Sequence, residues 1–321
     1  MTDVLMSLFY ILVFPGLLFC VAAGIFLAGI DRKLVARMQR RVGPPILQPL
    51  YDFLKLLGKE TIIPRTANRT MFLAAPVIGF VSLVVTALFI PVFEFTAFGG
   101  VADVVVILYL LTIPAVSIMM GGSASGSPYA GVGMSREMVS IMSYELPLVL
   151  VILTIGRKVG MTMGEGGICF SMQAIASWQA GNGPMVFHWS MIPAAAAMLL
   201  IIPCEVGSHP FDVAEAETEI CEGVLVEYSG APLAVYKLSH YVKMFIMSAL
   251  FSALFLGGAG TGIVAVDALL FFLECLVVTI VSMTLPHAVT ARLKVEQVFR
   301  FFWTFVTGLA ALSLILVWFG L

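Results

Sequence analysis

Residues 71–93 read MFLAAPVIGFVSLVVTALFIPVF, without one ionisable side chain. A helix needs about 20 apolar residues to cross the hydrocarbon of a bilayer, so this run reads as a membrane span. The pattern recurs along the chain, giving spans over approximately 4–30, 71–93, 104–122, 138–156, 187–204, 238–255, 262–285 and 301–321. Composition agrees, with 60% hydrophobic residues, only 11% charged and a mean hydropathy of +1.06. The fold class is an all-α integral membrane protein with about eight transmembrane helices. Residues 1–321 form a single polytopic membrane domain, with no soluble domain, fixed-period repeat or low-complexity tail. The first run lacks a basic flank before it and a small-residue cleavage pattern after it, so it reads as a retained helix.

The basic residues orient the spans. Every Lys and Arg except Arg157 and Lys158 falls on an odd-numbered connection, from the cluster Arg32–Arg69 to Arg136, Lys237, Lys243, Arg292, Lys294 and Arg300. The positive-inside rule makes these connections cytoplasmic and both termini external, in a multi-pass protein of the cell membrane.

Within the first connection, LQPLYDFLKLLGK (47–59) places Leu50, Phe53, Leu54 and Leu57 at helical spacing. It is too short to span and reads as an interfacial amphipathic helix. GGSASGSPYAGVG (121–133) reads as a bent loop, and 164–184 as a weakly polar external cap.

Ionisable residues concentrate where hydrocarbon makes them costly. HPFDVAEAETEICEGVLVEYSG (209–230) holds Asp212, Glu215, Glu217, Glu219, Glu222 and Glu227, six of the 19 carboxylates, and no Lys or Arg lies between Lys158 and Lys237. If Asp212 caps a helix and Glu215 closes a capping box, then Asp212, Glu215, Glu219 and Glu222 share one face and Glu217 points elsewhere. Like carboxylates one turn apart cannot all ionise comfortably, which leaves a shared proton near neutral pH. Upstream, Glu205 ends the fifth span, Glu145 lies inside the fourth and Glu137 stands just above it, extending the acids into the membrane. The plainer reading, hydrated acids or a surface for a basic partner, stands equally for Glu217 and Glu227. Arg37, Arg40 and Arg41 anchor the topology and are close enough together to grip an acidic partner. Gly43, Pro44 and Pro45 shape the turn into the interfacial helix. The five cysteines and four histidines show no ligand spacing. His209 is a candidate proton relay, although a solvated loop histidine is the commoner case. No catalytic residue, cofactor-binding site, metal site or nucleic-acid ligand is expected on this chain.

These stretches carry a resemblance. RRVGPPILQPLYDFLKLLGKE (40–60), PFDVAEAETE (210–219) and EYSG (227–230) resemble, in order, the loop signatures of the eight-helix membrane subunit shared by respiratory complex I and the membrane-bound, energy-converting (group 4) [NiFe] hydrogenases. Gly43-Pro44-Pro45 where complex I members read Gly-Pro-Asn, Ser208 where they carry a basic residue, and the added Glu222 place it closer to the hydrogenase branch.

The resemblance implies a non-catalytic membrane-anchor and ion-coupling subunit of an oxidoreductase complex. It would dock a [NiFe] large subunit and an iron–sulfur small subunit with [4Fe–4S] clusters. Ferredoxin is the implied electron donor, and hydrogen evolution would be linked to proton or sodium translocation through an antiporter-like membrane subunit. In the family, acids corresponding to Glu137, Glu145, Glu205, Asp212, Glu215, Glu217, Glu219, Glu222 and Glu227 lead from the redox module towards that subunit. The alternatives are the quinone-chamber subunit of a complex I-like dehydrogenase and a stand-alone secondary ion transporter.

Overall fold

The computed structural model describes residues 11–13, 16–91, 103–162, 167–257 and 264–320. Their regular elements are helical, apart from one antiparallel bridge between Asp103 and Ser171. The principal helices are α1 (Leu17–Met38), α2 (Gln48–Leu57), α3 (Arg69–Phe89), α4 (Val104–Ser125), α5 (Pro128–Thr162), α6 (Met172–Asn182), α7 (Ile192–Val206), α8 (Gly230–Phe251), α9 (Val264–Thr279) and α10 (Val295–Phe301). The last three continue through π-helical turns at Ser252–Leu256, Ile280–Thr284 and Phe302–Val306, with α9 running on to Val289 and α10 to Trp318.

Seven described helices are long and apolar enough to cross a membrane: α3, α4, α5, α7, α8, α9 and α10. The first expected span corresponds to α1, whose described part carries Asp31, Arg32, Lys33 and Arg37 towards its end. The remainder of that span, residues 4–10 and 14–15, lies outside the described residues.

The bundle is organised around α8. Its membrane-crossing stretch is 94% buried within the protein, against 28% for that of α10. Lipid is as apolar as leucine, so burial of this kind comes from close packing and not from the escape of apolar surface from water. At Gly24 of α1, a Cβ would lie 2.6 Å from the carbonyl oxygen of Tyr241, and only glycine lets these backbones meet. α2 forms as the periodicity predicts. Pro49 packs inward, while Tyr51, Leu54 and Leu57 remain exposed on its outer side.

Two expectations about backbone do not hold. Residues 121–133 are not a bent loop, because α4 continues to Ser125 and α5 begins at Pro128, with only a left-handed Gly126 at the corner. The small residues serve contact instead. An added Cβ at Gly121 would collide with the Tyr228 and Tyr236 hydroxyls, and one at Gly122 would fall 2.7 Å from Val224 Cγ1. Nor do Asp212–Glu222 form a helix with an acidic face. They run through turns, with helix only at Glu217–Ile220, and Cys221, Glu222 and Gly223 have φ of 52, 67 and 52°. Three successive left-handed residues end any α-helix, and the Asp212 carboxylate that was to cap it is taken by Arg292. In the expected cap, residues 164–166 lie outside the described residues, and 172–182 form α6, with Met172, Ile175 and Trp178 buried.

Candidate functional site

The acid-rich segment folds over one end of the bundle and closes a cavity of about 580 Å³ between α1, α5, α7, α8 and the end of α9. One wall begins where Gly207, at φ +76°, ends α7 just after Glu205. Glu205 is buried, and Lys243 Nζ from α8 lies 2.9 Å from its Oε1. Breaking such a buried pair strands a charge, so each partner needs the other. On α5, Glu137, Ser140 and Tyr144 follow at i, i+3 and i+7 and share the inward face. Glu137 is close enough to interact with Lys243 and Glu205, and Tyr144 with both acids.

Glu215 joins this group from the loop. It lines the cavity and is half-buried there. Burial, followed by the nearby carboxylates of Glu137 and Asp212, raises its carboxyl to about 7 against the opposing pull of Lys237. Three acids and one ammonium group thus line one wall, and the Glu215 carboxyl exchanges its proton near neutrality.

A second set of ionisable groups lines the same cavity. Arg292 donates from Nε and Nη2 to Asp212 at 2.8 and 2.6 Å, a bidentate grip that fixes the loop. His209 Nδ1 stands 3.6 Å from Asp212, the His209 and His287 rings are 5.1 Å apart, and His287 Nδ1 is 4.0 Å from Asp31. Thr284 donates to Asp31 at 2.7 Å. Below them Arg32 donates to Tyr241 and to Asp52 of α2. Partial burial opposes ionisation of Asp52, but hydrogen bonds from Gln48 and Arg32 outweigh it and hold the carboxyl below its usual range.

The predicted acids therefore divide. Glu137, Glu205, Asp212 and Glu215 meet at the cavity. Glu219 is exposed and paired with Arg136 at 2.5 Å, and Glu222 is exposed. Glu227 is half-buried and does not line the cavity, while Glu217 sits in the short helical turn. Glu145 does not join the group. One residue on from Tyr144, it turns about 100° around α5, next to the exposed flank of Met142, Leu146 and Val149. Arg37, Arg40, Arg41 and Pro45 are exposed around the end of α1. Gly43 packs against Lys33 and Ala36, where a Cβ would come within 3.1 Å.

Sequence reasoning passed over Asp31, Lys243, His287 and Arg292. Asp31 and Lys243 carried a signal, since each is an ionisable residue at or inside an apolar run. His287 and Arg292 carried none, because only the fold brings them to residue 212. Among the described residues no three His, Cys, Asp or Glu side chains gather as metal ligands do.

The EYSG stretch is architectural. Tyr228 stacks on Phe72 at 4.0 Å and donates to its carbonyl, Ser229 Oγ accepts from Ile62 N, and Gly230 takes φ +62° against the backbone of Lys59 and Glu60.

The NADH dehydrogenase family matches residues 9–318. A subunit of the NADH-quinone oxidoreductase of Thermomicrobium roseum is 35% identical over 90% of this chain and 89% of its own length. A subunit of the corresponding Thermus thermophilus enzyme is 33% identical over 94% and 83%. A chain of the membrane-bound sulfane sulfur reductase, an archaeal respiratory membrane complex, superposes with a TM-score of 0.88 at 27% identity, covering 98% of this chain and 99% of that one. With its fold, its loop signatures and nearly its whole length accounted for, the chain belongs to the NADH dehydrogenase family of membrane subunits in complex I-like respiratory complexes.

Proposed function

We propose that this chain docks a redox module on its basic and acidic loops and couples electron transfer in that module to proton movement through the cavity. The observation that carries the reading is the continuous set Glu215, Glu137, Glu205 and Lys243, which runs from the loop into the bundle and ends in a buried ion pair. An acid that exchanges its proton near neutrality, beside a pair that tolerates only concerted changes of charge, converts a nearby redox event into a displaced proton.

The redox module we propose is of the hydrogenase type, with a [NiFe] large subunit, an iron–sulfur small subunit, ferredoxin as donor and an antiporter-like membrane neighbour. Gly43-Pro44-Pro45, Ser208 and Glu222 support this branch. The second reading, a quinone chamber, is favoured by the cavity itself and by the names of the curated relatives. Nickel with hydrogen evolution in the purified complex supports the first, and bound quinone with quinone-dependent turnover supports the second.

The coupling role has its own test. Glu137→Gln should leave assembly and the soluble module's activity with an artificial donor intact, while reduction-driven ion movement in vesicles falls about tenfold or more. Glu145→Gln, which removes an acid outside the cavity, should have much the smaller effect. Equal ion movement in wild type and Glu137→Gln would remove the relay.

A further inference from the structure

α9 carries a carboxyl group at a depth where hydrocarbon surrounds the bundle. Its membrane-crossing stretch runs from Val266 to Val289. At 1.5 Å per residue, Glu274 stands about 12 Å from the first of these and about 22 Å from the last. In a hydrocarbon layer about 30 Å thick, that position is beyond the reach of water and lipid headgroups. Glutamate also lacks the long apolar stem by which lysine and arginine snorkel to the interface.

The protein holds this carboxyl from one side only. Ser252 of α8, itself 1% exposed, donates to Glu274 Oε2. α8 leaves α-geometry in a π-turn that begins at this serine, and π-turns are rare and concentrate at functional sites. Among the described residues the second carboxyl oxygen has no partner, and no Lys, Arg or His pairs with the group. Glu274 is half-buried at the edge of an exposed face formed by Leu269, Leu273, Val277 and Val281. A hydroxyl alone does not compensate a carboxylate in hydrocarbon, whereas an ammonium or guanidinium group does. Lipid chains offer neither, so the partner that fits is another protein helix.

We propose that this flank of α9 is the docking face for a transmembrane helix of a neighbouring subunit, which places a lysine or arginine side chain against Glu274. The aliphatic side chains along the face supply the close packing that joins helices in a bilayer. Glu274 sets the register, because its partner must arrive at one depth and on one side of the incoming helix. A member of a family built into respiratory membrane complexes has such neighbours. The docking face is independent of the proton-coupling reading above.

The test uses the intact complex in its native membranes. The photocrosslinker p-benzoylphenylalanine, placed at Leu273 or Val277, should join this chain to a membrane subunit on irradiation. Peptide mapping should put the adduct on a helix with a lysine or arginine at the matching depth. Glu274→Lys should lower retention of that subunit in mild detergent about tenfold or more, and changing the partner's cation to glutamate should restore it. Glu274→Gln keeps an acceptor for Ser252, so the chain keeps its fold, yet it too should weaken retention. Adducts with lipid alone, with a second copy of this chain or with a helix lacking a cation at that depth would overturn the docking face. So would wild-type retention in both Glu274 variants.

Discussion

Glu215 shows how far a side chain's chemistry depends on its surroundings. In sequence it is one of six acids in a loop, and the carboxyl has an ordinary value of 4.5 until burial lifts it to about 7. Between those values the folded protein keeps a proton that the unfolded chain has released. Stability therefore falls as pH rises from about 4.5 to 7 and levels off above, a loss on the order of 3 kcal/mol from this group. Glu215→Gln should abolish this slope, so that the variant, thermally unfolded in detergent at several pH values, loses less stability than wild type across the window. An unchanged slope would mean that Glu215 is hydrated in the folded protein. The titrating character of the segment was legible from its density of carboxylates, but which of them titrates was not. That depends on desolvation by α5 and α8, residues distant in sequence.

At the scale of elements, periodicity located helices well and their ends poorly. The interfacial helix α2 follows its apolar spacing because a single amphipathic surface is a local property. Composition alone suggests a loop at the corner between α4 and α5 because glycine serves two purposes, conformational freedom and close approach, which composition does not distinguish. The structure separates the two at neighbouring positions. Gly121 packs against both the Tyr228 and Tyr236 hydroxyls, whereas Gly131 has nothing within 4 Å of an added Cβ. Gly121→Ala should displace the tyrosine pair and destabilise the protein by about 1–3 kcal/mol, an overpacking cost. Gly131→Ala should be neutral or stabilising by up to about 1 kcal/mol, since alanine is the better helix former. Thermal unfolding of the detergent-solubilised variants orders the two, and equal effects would rule out the packing account of Gly121.

For the whole molecule, the charge pattern predicts that the basic end of α1 and the acid-rich loop face one compartment, the side on which the proposed redox module would dock. Cys221 in that loop is exposed, while Cys20, Cys204 and Cys275 are buried. An impermeant maleimide should therefore label Cys221 in inside-out vesicles stripped of soluble subunits and not in right-side-out ones. Labelling from the opposite side would reverse the orientation. Reversing charge at Arg40 and Arg41 together should release the soluble subunits while the chain stays inserted, and full retention of the complex would count against docking there. The sequence by itself determined the membrane class, the approximate spans, the interfacial helix and the family, because each rests on local apolar length, local period or contiguous motif. Only the tertiary structure decided which ionisable groups meet. Hydrocarbon penalises each charge wherever it lies, but its partner is chosen by helix packing, which brought Lys243 to Glu205, Arg292 to Asp212 and Thr284 to Asp31, and left Glu145 outside the cavity.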